Sequence, residues 1–205
     1  MSENTIPEVF IVESLRPNDP REGEIIYKIL KMGERSPKYR YVHTPNEFRS
    51  VIHEFGESNY RYLHISSHGS PECFGFEFGP MYFNEFHGLV NRYLHEKRVF
   101  ISACELVNHQ DHQLASLLLR NTGCYSVIGS YDPINFDDAV MFWSNFYFLA
   151  YRDQFGERIK FSRDLVLKIL HQLTGLYHLN MNYYSYSRVK GIKLTQYQDG
   201  KRNNI

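Results

Sequence analysis

Short apolar runs alternate along this chain with amphipathic segments of helical length. The runs are rich in β-branched and aromatic residues, which is typical of buried strands. They are Val9–Val12, Tyr39–His43, Arg61–His68, Arg98–Cys104 and Tyr125–Ser130. Strands that alternate with helices favour a mainly parallel sheet with helices on both faces. The sequence therefore predicts a three-layer α/β fold.

Residues that start and stop helices support this alternation. Thr44 is a predicted helix cap, with Pro45 at the first helical position and Glu47 three residues after the cap. The other predicted helices are Glu24–Met32 ending at Gly33, Asn84–Leu94 capped by Asn84, Leu114–Asn121, Asp137–Tyr151 and Arg163–Leu173. A small hairpin is expected over 71–80, an edge strand over 185–194 and a polar end over 198–204.

Length and charge limit the classes of function. With 205 residues, of which 42% are hydrophobic, the chain is expected to form a single domain over 1–205. The formal net charge is zero and the Lys and Arg residues are scattered in sequence, so no direct nucleic-acid partner and no anionic membrane surface are expected. The expected partners are proteins or peptides.

The amino-terminal residues and the cysteines indicate the compartment. No apolar run reaches the roughly 20 residues of a membrane span, and the first residues lack the basic and apolar regions of a signal peptide. The three cysteines, Cys73, Cys104 and Cys124, have no CxxC spacing and are expected to be free thiols. The chain is therefore expected in the cytoplasm, with no membrane association.

Two of the predicted strands end at reactive side chains. One ends at His68-Gly69, and the next ends at Cys104-Glu105. Because the carboxyl ends of parallel strands meet at one edge of an open α/β sheet, where ligands bind, we expect His68 and Cys104 to lie together. A thiol beside an imidazole is the smallest set of side chains that can carry out nucleophilic attack on a carbonyl.

This pair predicts a reaction with roles for named groups. The thiolate is the nucleophilic form of cysteine, and an imidazolium or a helix N-terminus stabilises it. His68 would protonate the departing amine, and water would then release the acyl group. The N–H groups of Gly69 and Cys104 are the candidate oxyanion hole. Neither a cofactor nor a metal is needed.

Other residues compete for these roles. A lone Cys or His is usually structural, and Cys73, Cys124 and His87 are alternatives within this chain. Their predicted positions, in a loop, before a strand and in a helix start, are away from the expected site. His64, four residues before His68, is expected in the core or behind the site. The His109–His112 segment lacks the ligand spacing of a zinc site.

Acidic residues near the same edge are candidates for a substrate pocket. Asp132 and Asp138 follow the fifth strand, and Glu105 follows the candidate nucleophile directly. A pocket lined by carboxylates would accept a basic side chain. Helix capping explains Asp137 and Asp138 equally well, since both fall in the first turn of a predicted helix.

An ordered set of motifs resembles a known family. They are Ser67-His68-Gly69, Ser102-Ala103-Cys104-Glu105, Leu114-Ala-x-x-Leu-Leu, Gly123 with Val127-Ile-Gly-Ser130, and Asp138-Ala with Phe146-Tyr147. The chain is similar in these residues to CHAT-type domains of the caspase-like cysteine peptidases, the clan that includes caspases, separases and gingipain-like peptidases. The resemblance runs from about Arg61 to Tyr151.

The resemblance implies a caspase-like fold, a dyad of His68 and Cys104, and cleavage of a peptide bond in a protein substrate. Related prokaryotic enzymes often act in antiviral defence or regulated cell death, switched on by a sensor. Many relatives carry a fused sensor, whereas this chain has no room for one, so an activating protein or sensor subunit is expected. The Trp that often follows the fifth strand is absent from Gly129–Pro133.

Two further hypotheses remain open. A non-catalytic caspase-like interaction module, serving as a binding or regulatory subunit, is suggested by the small size and by the tyrosines near the end of the chain. A flavodoxin-like nucleotide binder is less favoured, because Glu13-Ser-Leu-Arg-Pro stands where a glycine-rich phosphate loop would follow the first strand. The leading hypothesis is a cysteine endopeptidase.

Overall fold

A computed structural model describes residues 6–107, 113–152, 154 and 160–204. The strands are β1 (Ile6–Ser14), β2 (Lys38–Tyr41), β3 (Tyr60–Gly69), β4 (Cys73–Phe76), β5 (Gly79–Tyr82), β6 (Arg98–Ser102), β7 (Ser126–Ser130), β8 (Met181–Ser187), β9 (Gly191–Gln198) and β10 (Lys201–Asn204). The helices are α1 (Glu22–Met32), α2 (Pro45–Glu57), α3 (Phe83–Val90), α4 (Gln113–Leu119), α5 (Phe136–Tyr151) and α6 (Arg163–Tyr177). Over the described ranges, none of these helices has the length and apolar character to cross a membrane.

The central sheet has the strand order β10-β9-β8-β7-β6-β3-β1-β2. β2, β1, β3, β6 and β7 are paired in parallel, whereas β8, β9 and β10 extend the β7 side in antiparallel pairs. The β4–β5 hairpin branches from the carboxyl end of β3. The prediction of an α/β fold with a mainly parallel sheet is confirmed for this five-stranded part.

Alternate residues of the strands supply the two faces of the sheet. In β1, Phe10 and Val12 pack with α2, α3 and α4, whereas Val9 and Ile11 pack with α1, α5 and α6. Successive side chains of a strand point to opposite faces, so a strand buried on both sides is apolar throughout. The result is a helical layer on each face of the sheet.

The best-marked helix starts as predicted. The Thr44 hydroxyl accepts a hydrogen bond from the Glu47 amide at 3.2 Å, and Pro45 occupies the first position of α2. Gly33 follows the end of α1, also as predicted. The prediction that Asn84 caps the next helix is wrong, because Tyr82 holds the cap position and α3 begins at Phe83. The hairpin leads directly into α3, so no separate polar cap is present there.

The last fifth of the chain differs from the prediction. Instead of one edge strand over 185–194 and a polar end, β8, β9 and β10 form an antiparallel meander. Strongly polar β10 pairs along the outer edge, where an alternating apolar pattern is not needed. Tyr183 and Tyr184 are buried in the two cores, whereas Tyr186 is exposed. Packing therefore accounts for most of this tyrosine-rich segment.

Candidate active site

The candidate residues leave the sheet at the same rim. β3 and β6 are parallel neighbours, and Ser66 lies opposite Ser102 in their register. His68 comes two residues after Ser66 and is still within β3, whereas Cys104 comes two residues after Ser102, in the turn that follows β6. His68 has the parity of His64, which packs against Tyr147 of α5. The topology thus brings His68 and Cys104 to one end of two adjacent strands, with His68 on the face covered by α1 and α5.

Gly69 allows the two strand ends to approach closely. A Cβ atom placed on Gly69 would lie 2.5 Å from the carbonyl oxygen of Cys104 and 2.6 Å from Cγ of Leu106. Any larger residue would collide with the backbone that carries the thiol, and backbone cannot rotate away as a side chain can. Glycine is therefore required here by the contact with the Cys104 backbone.

His68 is held by a carboxylate from the loop after β1. Its Nε2 lies 2.7 Å from Oδ2 of Asp19, and the same oxygen accepts the Arg16 amide at 2.8 Å. Burial opposes ionisation of Asp19, but the hydrogen bonds from His68 and the Arg16 amide outweigh it and hold the pKa of this carboxyl below its usual value. Because Nε2 is bound to Asp19, proton exchange with a thiol would go through Nδ1.

One segment after β7 contacts both candidate residues. The half-buried thiol of Cys104 donates to the carbonyl of Ile134 over a sulfur–oxygen distance of 3.7 Å. Two residues later, the ring of Phe136 packs edge-on against the ring of His68, with centroids 5.9 Å apart. Phe136 is the first residue of α5, so the segment that leads into this helix lies beside the thiol and the imidazole.

The other two cysteines have different environments. Cys124 is buried, and burial raises the pKa of its thiol to about 12, which makes it a poor nucleophile at neutral pH. Cys73 is half-buried at the start of β4, with its sulfur 3.3 Å from the Ser70 hydroxyl. The hairpin branches from the carboxyl end of β3, so Cys73 lies at the same rim of the sheet as His68. Cys73 is therefore a stronger alternative nucleophile than Cys124.

The candidate pocket residues lie near the rim but have structural partners. Glu105 has a φ of 57°, a left-handed conformation that is uncommon for glutamate, and its amide points at the Asp132 carbonyl at 3.5 Å. The Asp132 carboxylate accepts from the Asn180 side chain at 2.6 Å. Asp138 lies in the first turn of α5, which agrees with the helix-start interpretation. The substrate pocket remains a prediction.

A buried polar cluster lies behind the rim. Glu22 of α1 accepts a hydrogen bond from the Ser66 hydroxyl at 3.3 Å, and burial raises the pKa of this carboxyl to about 8. His64 is fully buried, its Nδ1 lies 2.8 Å from the Tyr147 hydroxyl, and burial lowers the pKa of the imidazole to about 3. Nε2 of His64 and Oε1 of Glu22 lie 3.9 Å apart, too far for a hydrogen bond, and burial disfavours the charged form of each, so both groups are neutral at pH 7.

The described residues contain no group of three or more His, Cys, Asp or Glu side chains arranged to hold a metal ion. The segment 109–112, considered above as a metal cluster, lies outside the described residues. His64 is in the core behind the rim, as expected. His87 lies within α3 and not at the end of a strand.

Asp19 is the functional candidate that the sequence did not reveal. It lies in Arg16–Arg21, a loop whose prolines and polar residues predict only turns. The available signal was position, because this loop follows β1, which pairs with β3, and therefore leaves the sheet at the same rim as His68.

No model of a known protein family matches the chain. A comparison with curated proteins also gives no match. The arrangement of Asp19, His68 and Cys104 is therefore the basis for a functional assignment.

Proposed function

We propose that the protein is a cysteine endopeptidase that uses Cys104 as nucleophile and His68 as general base and acid. The observation that carries this proposal is the 2.7 Å contact between Asp19 and His68 at the rim that also holds Cys104. A nucleophile, a base and a group that orients the base are the three parts of a hydrolytic triad. The motifs that resemble CHAT-type caspase-like peptidases point to the same reaction.

The reaction would proceed in two steps. The Cys104 thiolate attacks the peptide carbonyl and forms a C–S bond, while His68 holds the thiol proton at Nδ1 and then gives it to the leaving amine. Water, deprotonated by His68, next attacks the thioester, and the C–S bond breaks to release the acid and the thiol. Asp19 stabilises the positive charge on the ring throughout. The Gly69 and Cys104 amides are the proposed oxyanion donors.

The contact between the Cys104 thiol and the Ile134 carbonyl suggests how activity is controlled. In molecules that hold this contact the thiol is not paired with His68, so the contact lowers the fraction of the protein that can react. A shift of the segment leading into α5 would release the thiol toward His68. We infer that a protein partner causes this shift and that the enzyme cleaves one protein target, as expected for a regulated effector in antiviral defence or cell death.

Active-site labelling tests the proposal. An acyloxymethyl ketone peptide probe reacts with a catalytic thiolate, so Cys104→Ala should abolish labelling, while Cys73→Ala and Cys124→Ala should retain it. Equal labelling of the Cys104→Ala variant and the wild type would refute the proposal. Because an unactivated enzyme reacts slowly, the probe is applied over hours, and its site is mapped by mass spectrometry.

The second candidate function is an interaction module without catalysis. The specific observation in its favour is the Cys104–Ile134 contact, which leaves the thiol engaged by the backbone. In that case Cys104→Ala would leave the cellular function intact. Burial of Tyr183 and Tyr184 removes much of the tyrosine surface that suggested this function from sequence.

A further inference from the structure

A groove lies at the edge of the sheet opposite His68 and Cys104. It is formed where β3, β6 and β7 begin, and the end of β8 and the start of α6 close its sides. The outer part has a volume of about 400 Å³, within the range of small-molecule sites. Six residues of β3 separate the level of Arg98 from that of His68, so the groove is roughly 20 Å from the candidate active site.

A buried guanidinium forms the base of this groove. Arg98 is only 6% exposed. Its Nε donates to the Phe161 carbonyl at 2.8 Å, and its Nη1 donates to the hydroxyls of Ser126 at 2.6 Å and Tyr183 at 3.5 Å. All three acceptors are neutral, so they fix the orientation of the guanidinium without cancelling its charge. A buried charge is costly unless an opposite charge is nearby, which an anionic ligand would supply.

Further positive charge surrounds Arg98. Lys160 and Arg163 are exposed on the groove, and Lys193 of β9 lines it from the other side. Arg163 is also the first residue of α6, whose positive dipole end faces this region with Ser162 as its cap. The carboxylate of Glu96 lines the inner end, where it hydrogen-bonds the Tyr125 hydroxyl. Among the described residues that line the groove, the cations outnumber the acids.

Two aromatic side chains add a second kind of contact. Tyr125 and Tyr186 both line the groove, and each is 42% exposed. A tyrosine ring beside arginine and lysine side chains offers a stacking surface for a nucleobase next to donors for a phosphate. An acidic peptide would use the cations but not the aromatic faces. The combination therefore favours a nucleotide.

We propose that this groove binds a nucleoside phosphate. Lys160, Arg163 and the Nη2 group of Arg98, whose Nε and Nη1 already have partners, would receive the phosphate oxygens. Tyr125 and Tyr186 would contact the base. The site would be a regulatory or accessory one, because it is remote from the proposed nucleophile.

Isothermal titration of the full chain with ATP, AMP, pyrophosphate and adenosine tests this assignment. ATP and AMP should bind with a Kd below about 1 mM, and adenosine should not bind, since phosphate contacts supply most of the affinity. ATP binding should weaken as salt is raised, because exposed charges are screened. Pyrophosphate should bind more weakly than ATP if the tyrosines contact the base.

Matched double variants distinguish the loss of contacts in the groove from a general loss of positive charge. Lys160→Ala with Lys193→Ala should raise the Kd for ATP by about tenfold, because one charge-assisted phosphate contact and a second positive charge of the groove are lost. Lys28→Ala with Lys31→Ala, which removes the same charge from α1, should leave the Kd unchanged. Arg98→Lys keeps the charge but loses the Nη2 donor and the contacts that orient it, so it should also weaken binding. If Arg98→Lys does not fold by circular dichroism, the exposed double variant decides.

Three results would overturn the proposal: no binding of ATP or AMP, equal effects of the two double variants, or a poly-glutamate peptide binding as tightly as ATP. The last result would indicate a docking site for an acidic protein segment. Titrations with Cys104→Ala should give the same Kd for ATP as the wild type. Nucleotide binding is thus measured independently of peptidase activity.

Discussion

Replacement of Glu22 by Gln should make the protein more stable at alkaline pH. Glu22 is buried beneath the rim, and burial raises the pKa of its carboxyl from 4.5 to about 8. Between these values the folded state keeps a proton that the unfolded state has lost. The free energy of unfolding therefore falls as pH rises through this range.

The size of the effect follows from the two pKa values. The difference between 4.5 and 8 corresponds to about 5 kcal/mol, of which roughly 3 kcal/mol is already lost at pH 7. Gln has the shape of the protonated acid but does not titrate. The variant should match the wild type near pH 4.5 and exceed its stability by up to about 5 kcal/mol at pH 8.

Urea unfolding followed by circular dichroism from pH 4.5 to pH 8 measures this difference. Subtracting the wild-type curve from the variant curve cancels the titration of groups that do not interact with Glu22; Glu13, whose charge raises the Glu22 pKa, is the coupled neighbour. Glu24→Gln is the matched control on the same helix, where a partly exposed pair with Lys28 should change stability by less than about 1 kcal/mol at any pH. A Glu22→Gln difference that stays constant across pH would refute a protonated, buried Glu22.

Three more predictions concern the same region. In the wild type, the free energy of unfolding should rise between pH 3 and pH 6.5, because burial lowers the pKa of the His64 imidazole to about 3 and only the unfolded state binds the proton in this range. His64→Gln should remove this rise. An unchanged dependence of the free energy of unfolding on pH below 6.5, measured by urea unfolding, would contradict the prediction. Asp19→Asn should lower kcat for a cleaved peptide about 100-fold with little change in KM, because the base loses its orienting charge; a change confined to KM would argue against that role. Gly69→Ala should destabilise the fold by about 1–3 kcal/mol through the clash with the Cys104 carbonyl, whereas Gly88→Ala, where a Cβ meets nothing within 4 Å, should be neutral or slightly stabilising; equal melting temperatures of the two variants would rule out the clash.

The parallel half of the fold could be predicted from the sequence because its strands are buried on both faces. Apolar runs such as Val9–Val12 reveal such strands directly, and the signals around Thr44 located α2. The antiparallel β8–β10 meander was not predicted, because its turn at 188–190, Arg-Val-Lys, contains no strong turn motif and its edge strand is polar throughout. These strands form because they pair with neighbouring strands, and the local sequence pattern does not show that pairing.

The candidate site could also be predicted only in part from the sequence. His68 and Cys104 could be placed at one rim because each follows a strand of the parallel type. Asp19 could not be assigned, because it is 49 residues from His68 in sequence and its role depends on a contact made by the fold rather than on any motif. The cations of the groove, from Arg98 to Lys193, are scattered in sequence and come together only through the order of the strands. A zero net charge gave no indication of this cluster.

The dependence of thiol alkylation on His68 tests most directly whether the two groups act together. The rate of Cys104 carbamidomethylation by iodoacetamide at pH 7 is measured by peptide mass spectrometry in the wild type and in His68→Ala, with Cys73 as internal reference. We predict that His68→Ala lowers the Cys104 rate at least about tenfold and leaves the Cys73 rate unchanged. Equal Cys104 rates in the two proteins would contradict a working pair of sulfur and imidazole.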